Sequence, residues 1–96
     1  MAVRLVIALN AAPGKGAELA AALKSRCEDV MKEPGCRQFE AFQSVLDPDR
    51  FALLELWEDK AALAAHAKVN TTRAPLPPGL MGGSGGREDY AYNKTR

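Results

Sequence analysis

The single tryptophan and the single histidine of this 96-residue chain lie nine residues apart in the stretch FALLELWEDKAALAAH, residues 51–66. An imidazole is the side chain whose ordinary pKa suits proton transfer near neutral pH. An indole offers an aromatic wall and one N–H donor. Trp57 and His66 are therefore the first candidate catalytic residues. The alternative for each is packing, as a core tryptophan at a strand end and a histidine on the inner face of a helix.

Four further polar side chains stand where they could assist this pair. Asn10 ends a strand-like run and could orient a carbonyl or hydroxyl group, although an asparagine there also commonly starts a turn. Tyr90 and Tyr92 fall on the same side of the last strand-like run, and Arg73 lies beside a glycine-rich loop. We assign Asn10 to the candidate catalytic set, and Tyr90, Tyr92 and Arg73 to candidate substrate binding.

Neither a metal nor a nucleotide cofactor is predicted. A metal site needs several converging ligands, which one histidine and the separated Cys27 and Cys36 do not supply. The run Gly14-Lys15-Gly16 follows a strand and opens a helix, but position 19 is leucine where a dinucleotide fingerprint needs a third glycine. The second glycine cluster, GGSGG at 82–86, precedes a strand rather than a helix. The expected cofactor complement is none.

The elements that position these residues follow the order β-α-β-β-α-β. Apolar side chains that alternate with period two predict strands, and apolar side chains at helical spacing predict helices. Proline and glycine at 34–35 end the first helix, and an Asp-Pro-Asp turn at 47–49 joins two strands as a hairpin. The predicted elements are strand 3–10, the helix containing 19–31, strands 36–45 and 51–57, helix 60–69, a Pro/Gly-rich loop 74–86, and a last strand within 87–96.

This order is the ferredoxin-like α+β plan, in which a four-stranded antiparallel sheet carries both helices on one face. The strand 51–57 is apolar on both faces, with Leu53 and Trp57 on one and Leu54 and Leu56 on the other. A strand that is buried on both sides needs two covers, and the helices supply only one. The open face predicts that two sheets pair face to face, as a homodimer.

Composition and charge exclude several classes of protein. The length is that of one domain, 1–96. Thirteen basic and twelve acidic side chains leave a net charge of +1, which offers no footprint for nucleic acid or an anionic membrane. The apolar run LVIAL is too short for a signal peptide, and no stretch approaches the roughly 20 apolar residues of a membrane span. A cytoplasmic protein with reduced cysteines is predicted.

One sequence pattern extends from residue 33 to residue 66. Its members are Glu33-Pro34-Gly35-Cys36, Phe39, Asp47-Pro48, Phe51, Glu55, Trp57, Glu58, Ala62, Leu63 and Ala65-His66. The pattern resembles the antibiotic biosynthesis monooxygenase family, whose members include small quinol and anthrone oxygenases. The resemblance, which covers the order of elements over residues 1–70, implies a dimeric α+β barrel with a pocket between sheet and helices. It also implies cofactor-free oxygenation, with a small electron-rich aromatic substrate and dioxygen as partners.

Oxygenation without flavin or metal requires a substrate whose own anion can reduce dioxygen, such as a quinol or an anthrone. The protein must then supply a dry pocket, a proton acceptor and donors for developing charge. The loop 74–86 is expected to form a lid or rim of that pocket. A related branch degrades haem with an Asn, a Trp and a later His; Asn10 and Trp57 match the first two, and no histidine follows His66. The alternative function is a non-catalytic dimeric barrel that binds a small aromatic ligand or haem.

Overall fold

The order of elements is the predicted one. The structure, a computed structural model, describes residues 1–83 and 85–95; Ser84, within the predicted loop, and Arg96 lie outside the described residues. The antiparallel sheet has the strand order β2-β3-β1-β4, so β1 and β3 are central. The ferredoxin-like α+β class is thereby confirmed. The elements are β1 Val3–Asn10, α1 Gly16–Val30, β2 Cys36–Gln43, β3 Arg50–Trp57, α2 Lys60–Thr72 and β4 Gly86–Ala91.

The register of the sheet sets which side chains face the helices. Leu5 of β1 lies opposite Glu55 of β3 on one side and opposite Asp89 of β4 on the other. Phe39 of β2 lies on the far side of Glu55. Because side chains alternate across a strand, these four form one row on one face of the sheet. Two carboxylates therefore occupy a row whose other members, Leu5 and Phe39, are buried and apolar.

The two helices cover this face unequally. Helix α1 buries Leu19, Leu23 and Val30 against the sheet. Within α2 the only buried residue is His66. The small alanine side chains of α2 do not fill the space between this helix and the strands β1 and β4. This unequal packing leaves an open cleft beside α2.

The turn that precedes β2 closely approaches α2 through Gly35. This residue has a φ of 80°, a conformation that side chains other than glycine rarely adopt. A Cβ atom at this position would lie 2.5 Å from the Cβ of Ala62 in α2. Glycine is therefore required for the turn and the helix to meet, and the same approach brings Glu33 of that turn to α2.

The Asp-Pro-Asp turn between β2 and β3 also holds the start of α1. Both carboxylate oxygens of Asp49 accept backbone N–H bonds, one from Gly14 and one from Gly16, each at 3.0 Å. A Cβ at Gly16 would come within 2.1 Å of the Pro48 carbonyl oxygen. The helix is thus capped by a residue 33 positions later in the chain.

The second face of the sheet carries no helix. Val6, Leu54 and Leu56 are only half-buried there, and Phe42 is 46% exposed. Of the residues in 1–83 and 85–95, none forms an element that covers this face. The apolar open face that the sequence predicts is confirmed, while the pairing of two sheets stays a prediction.

Candidate active site

A cleft of about 840 Å³ lies between α2 and the strands β1 and β4. Its floor is apolar, formed by Val3, Leu5 and Ile7 of β1, and its helical wall is mostly small side chains. Apolar linings with a few polar groups are typical of small-molecule sites. The polar or charged residues that line this cleft are Glu55, Lys60, His66, Asn70, Arg87, Asp89 and Tyr90.

His66 presents one ring nitrogen to the cleft and the other to a carboxylate. Its Nδ1 lies 2.9 Å from Oε1 of Glu33. A carboxylate can only accept, so Nδ1 carries the proton and donates it to this bond. Nε2 has no hydrogen-bond partner in the described part of the chain, and it is not sealed from solvent. Because His66 lines the cleft and Nδ1 is occupied by Glu33, Nε2 is the ring nitrogen left for a bound molecule.

Arg73 places a positive charge behind this pair. Its guanidinium Nη2 lies 2.9 Å from Oε2 of Glu33, and both side chains are largely buried. Oε2 makes no directed hydrogen bond, so the contact between the two groups is an ion pair without hydrogen-bond alignment. Arg73, a candidate for substrate binding, does not line the cleft; it holds Glu33, which holds His66.

Trp57 contacts both Glu55 and His66. Its side chain is completely buried, and its N–H donates to Oε1 of Glu55 at 2.9 Å. Its ring stacks on His66 with 4.6 Å between centroids and 30° between planes. Trp57 and His66 therefore meet, but Trp57 lies behind the cleft rather than along it. It supports the groups that border the cleft.

Glu55 is the site residue that sequence reasoning missed. It is 3% exposed and lines the cleft. Burial raises the pKa of its carboxyl group, while the Trp57 N–H and the charges of His66 and Arg87 oppose the rise. The sequence did contain a signal for Glu55. In FALLELW this residue falls on the same face as Leu53 and Trp57, where the period-two pattern predicts an apolar side chain.

The raised pKa of Glu55 predicts a loss of stability with rising pH. The folded state binds this proton more tightly than the unfolded state, so the stabilisation is complete below the ordinary pKa of 4.5 and is lost as pH rises through the folded value. Glu55→Gln removes the titration. The melting temperature of the wild type relative to Glu55→Gln should therefore fall as pH rises from about 4 to about 8. Glu58→Gln, at an exposed neighbouring position, is the matched control. If the difference in melting temperature between the wild type and Glu55→Gln stays constant across this pH range, the raised pKa of Glu55 is contradicted.

The other candidate residues lie around the site or away from it. Asn10 ends β1 beyond the cleft, where its carbonyl oxygen accepts the Gly82 N–H. Tyr90 is among the residues that line the cleft, but it pairs with Arg4 in the sheet, so its side chain lies on the open face, where its hydroxyl donates to Glu88. The ring of Tyr92 lies under the Arg4 guanidinium, 5.5 Å from its centroid, and does not line the cleft. The structure brings Trp57 and His66 together, but it does not bring the side chains of Asn10, Tyr90 or Tyr92 to them.

The loop 74–86 packs against the opposite end of the sheet. Leu80 is buried there, and its carbonyl oxygen accepts the Ala12 N–H at 2.8 Å. Of the loop residues that the structure describes, none lines the cleft. The expectation of a lid over this cleft is wrong, because Leu80 and the partly buried Leu76 anchor the loop in a core cluster with Leu19 and Phe51.

The two cysteines are free and partly buried. Burial raises the pKa of the Cys36 thiol to about 11, and the charge of Glu33 adds to the rise. Burial also raises the pKa of Cys27. Both groups are thiols at neutral pH and poor nucleophiles. Across 1–83 and 85–95, no three His, Cys, Asp or Glu side chains converge as metal ligands, and no helix is long and apolar enough to span a membrane.

Comparisons with known proteins agree with this architecture. The family model described as antibiotic biosynthesis monooxygenase matches residues 2–74. A protein from Shewanella oneidensis is 29% identical, with 93% of this chain and 88% of that chain covered and a TM-score of 0.76. One from Pseudomonas aeruginosa is 24% identical, with 97% and 95% covered and a TM-score of 0.79. A Nitrosomonas europaea protein ascribed to the same monooxygenases is 21% identical, with 95% and 89% covered and a TM-score of 0.78. Among curated proteins none matches.

Proposed function

Because this chain belongs to the antibiotic biosynthesis monooxygenase family, we propose that it oxidises an electron-rich aromatic compound, a quinol or an anthrone, with dioxygen and without a cofactor. The observation that carries the proposal is the state of His66. Its Nδ1 is bound to Glu33 and its Nε2 opens to an apolar cleft. An imidazole in this arrangement is a proton acceptor of fixed orientation.

The reaction begins with proton transfer from the substrate hydroxyl to Nε2 of His66. The resulting anion gives one electron to dioxygen, and the two radicals combine by forming a carbon–oxygen bond. The hydroperoxide then loses water. One quinol and one dioxygen give one hydroxyquinone and one water, so the substrate supplies all the electrons.

The surroundings of His66 support its role as the base. The carboxylate of Glu33 stabilises the imidazolium that forms when Nε2 takes a proton. The floor of Val3, Leu5 and Ile7 keeps the substrate anion in apolar surroundings, where electrostatic interactions are stronger than in water. The protein therefore orients the substrate, supplies a base and partly excludes water, while the aromatic compound supplies the electrons that reduce dioxygen.

Oxygen uptake tests the proposal. Protein freed of metal by a chelator should accelerate oxygen consumption by substituted hydroquinones or anthrone, with one dioxygen consumed per product. Free imidazole at the same concentration and heat-denatured protein are the controls for autoxidation. Saturable binding of the aromatic compounds, or of haem as seen by its absorption band, without oxygen uptake would support the non-catalytic alternative instead.

A further inference from the structure

Glu55 is a buried carboxyl group that the proposed oxidation does not use. It is 3% exposed and lies between Leu5 and Phe39 in the sheet. An unpaired carboxylate in such surroundings is strongly unfavourable. An apolar residue would continue the buried alternation of Leu53 and Trp57, but it would leave the buried Trp57 N–H without an acceptor. A neutral amide would also accept that N–H, so a chemical role accounts for an acid rather than an amide at this position.

The two oxygens of Glu55 have different surroundings. Oε1 accepts the Trp57 N–H at 2.9 Å. Oε2 has no hydrogen-bond partner in 1–83 or 85–95 and is not sealed from solvent. Since Glu55 lines the cleft, Oε2 is the oxygen that a bound molecule meets. Burial raises the pKa of the group, so its proton is retained at higher pH and is available for donation.

The proton donor Glu55 and the proton acceptor His66 both contact the side chain of Trp57. Trp57 binds Glu55 through its N–H and stacks on His66 through its ring. The indole has no exposed surface, so both polar groups are held by a fixed residue. Glu55 and His66 also border the same apolar cleft. A proton donor and a proton acceptor in one cleft are the two groups that an enolisation needs.

We propose that this cleft also interconverts the keto and enol forms of a neutral ketone with an aromatic or alicyclic body, with His66 as base and Glu55 as acid. Nε2 takes the proton from the carbon next to the carbonyl group, and the carbon–hydrogen electron pair forms the carbon–carbon double bond. The carbonyl π pair moves to oxygen, which takes the proton from Oε2 of Glu55. The forward step leaves His66 protonated and Glu55 ionised; solvent then takes the proton from Nε2 and returns one to Glu55, so both residues are restored and no oxidant is consumed.

The charges along the cleft favour a neutral ketone over a keto acid. Arg87 lines the cleft and its charge acts on the Glu55 carboxyl group, and both oxygens of Asp89 accept its N–H groups at 2.8 Å. That guanidinium is therefore already neutralised. Lys60 is the first residue of α2, six positions before His66 and therefore about 9 Å from it along the helix axis. No uncompensated cation stands beside the acid and base in the described structure.

Deuterium exchange without oxygen tests this second activity. The probe is 2-tetralone in D₂O under nitrogen, with loss of the signal of its C1 protons followed by NMR. The wild type should exchange these protons faster than free imidazole at the same concentration. Glu55→Gln keeps the shape and an acceptor for Trp57 but has no proton to give, so it should be slower by about 10²-fold. Glu58→Gln, at an exposed position, should match the wild type.

Three outcomes would overturn the isomerisation. They are wild-type exchange no faster than with imidazole, full exchange in folded Glu55→Gln, and no competition by 2-naphthol, which has the shape of the enol. The first and third use the wild type alone, so they hold even where Glu55→Gln does not fold. The oxygenase is judged separately, because its assay needs dioxygen and this one excludes it. Exchange without quinol oxidation would leave this proposal standing and remove the other.

Discussion

His66→Ala is expected to lower kcat/KM for quinol oxidation by about 10²–10⁴-fold, the usual contribution of a general acid–base group. The same change should lower the free energy of unfolding by roughly 1–3 kcal/mol, because it opens a cavity against Trp57 and leaves Oε1 of the largely buried Glu33 without its hydrogen bond. Steady-state kinetics well below the melting temperature measure the first effect. Chemical denaturation measures the second.

A control variant separates these two effects of His66→Ala. Val30 is completely buried in the core cluster that also contains Trp57, and it does not line the cleft. Val30→Ala should therefore destabilise the protein through a cavity and leave kcat nearly unchanged. Activity retained in a destabilised His66→Ala protein would remove His66 from the mechanism and leave its ring as packing for Trp57. A kcat loss in Val30→Ala of the same size as in His66→Ala would point to the same conclusion.

The second large effect is expected on the open face of the sheet. We expect two chains to pair through this face, with Val6, Leu54, Leu56 and Phe42 in the interface, and to bury on the order of 1,200–2,000 Å² in total. Leu54 lies on a central strand between Val6 and Glu40. In a symmetric interface Leu54→Arg places two guanidinium groups where the two apolar faces meet, and burying them is costly even beside Glu40, so the variant should be monomeric.

Light scattering at micromolar concentration measures the oligomeric state of both forms. The wild type should give the mass of a dimer, and Leu54→Arg the mass of one chain with a lower melting temperature. Ala65→Arg, at an exposed position of α2, adds the same charge away from this face and should leave the dimer intact. If the natively folded wild type has the mass of one chain, the predicted pairing of two sheets is contradicted.

Local periodicity determined the elements and the open face from the sequence alone. The alternation at Leu53, Leu54, Leu56 and Trp57 and the helical spacing of Leu19 and Val30 are properties of neighbouring residues. Such patterns survive in the fold because a strand or helix buries whichever face is apolar. The family pattern in 33–66 was equally readable, and the match over residues 2–74 confirms it. Glu55 could have been found from the same alternation, as a charge on a buried face.

Only the tertiary structure decided which polar groups act on one another. Glu33 reaches His66 across 33 positions of sequence because Gly35 lets the turn approach α2, and Arg73 joins them from the end of that helix. Asn10 has a suitable residue type at a strand end, but the antiparallel pairing of β1 places that end beyond the cleft. Side-chain types and periods are local, whereas the direction of strands and the distance between helix and sheet depend on how every element packs. The sequence therefore determined the architecture, and packing alone made His66 a base oriented by a carboxylate.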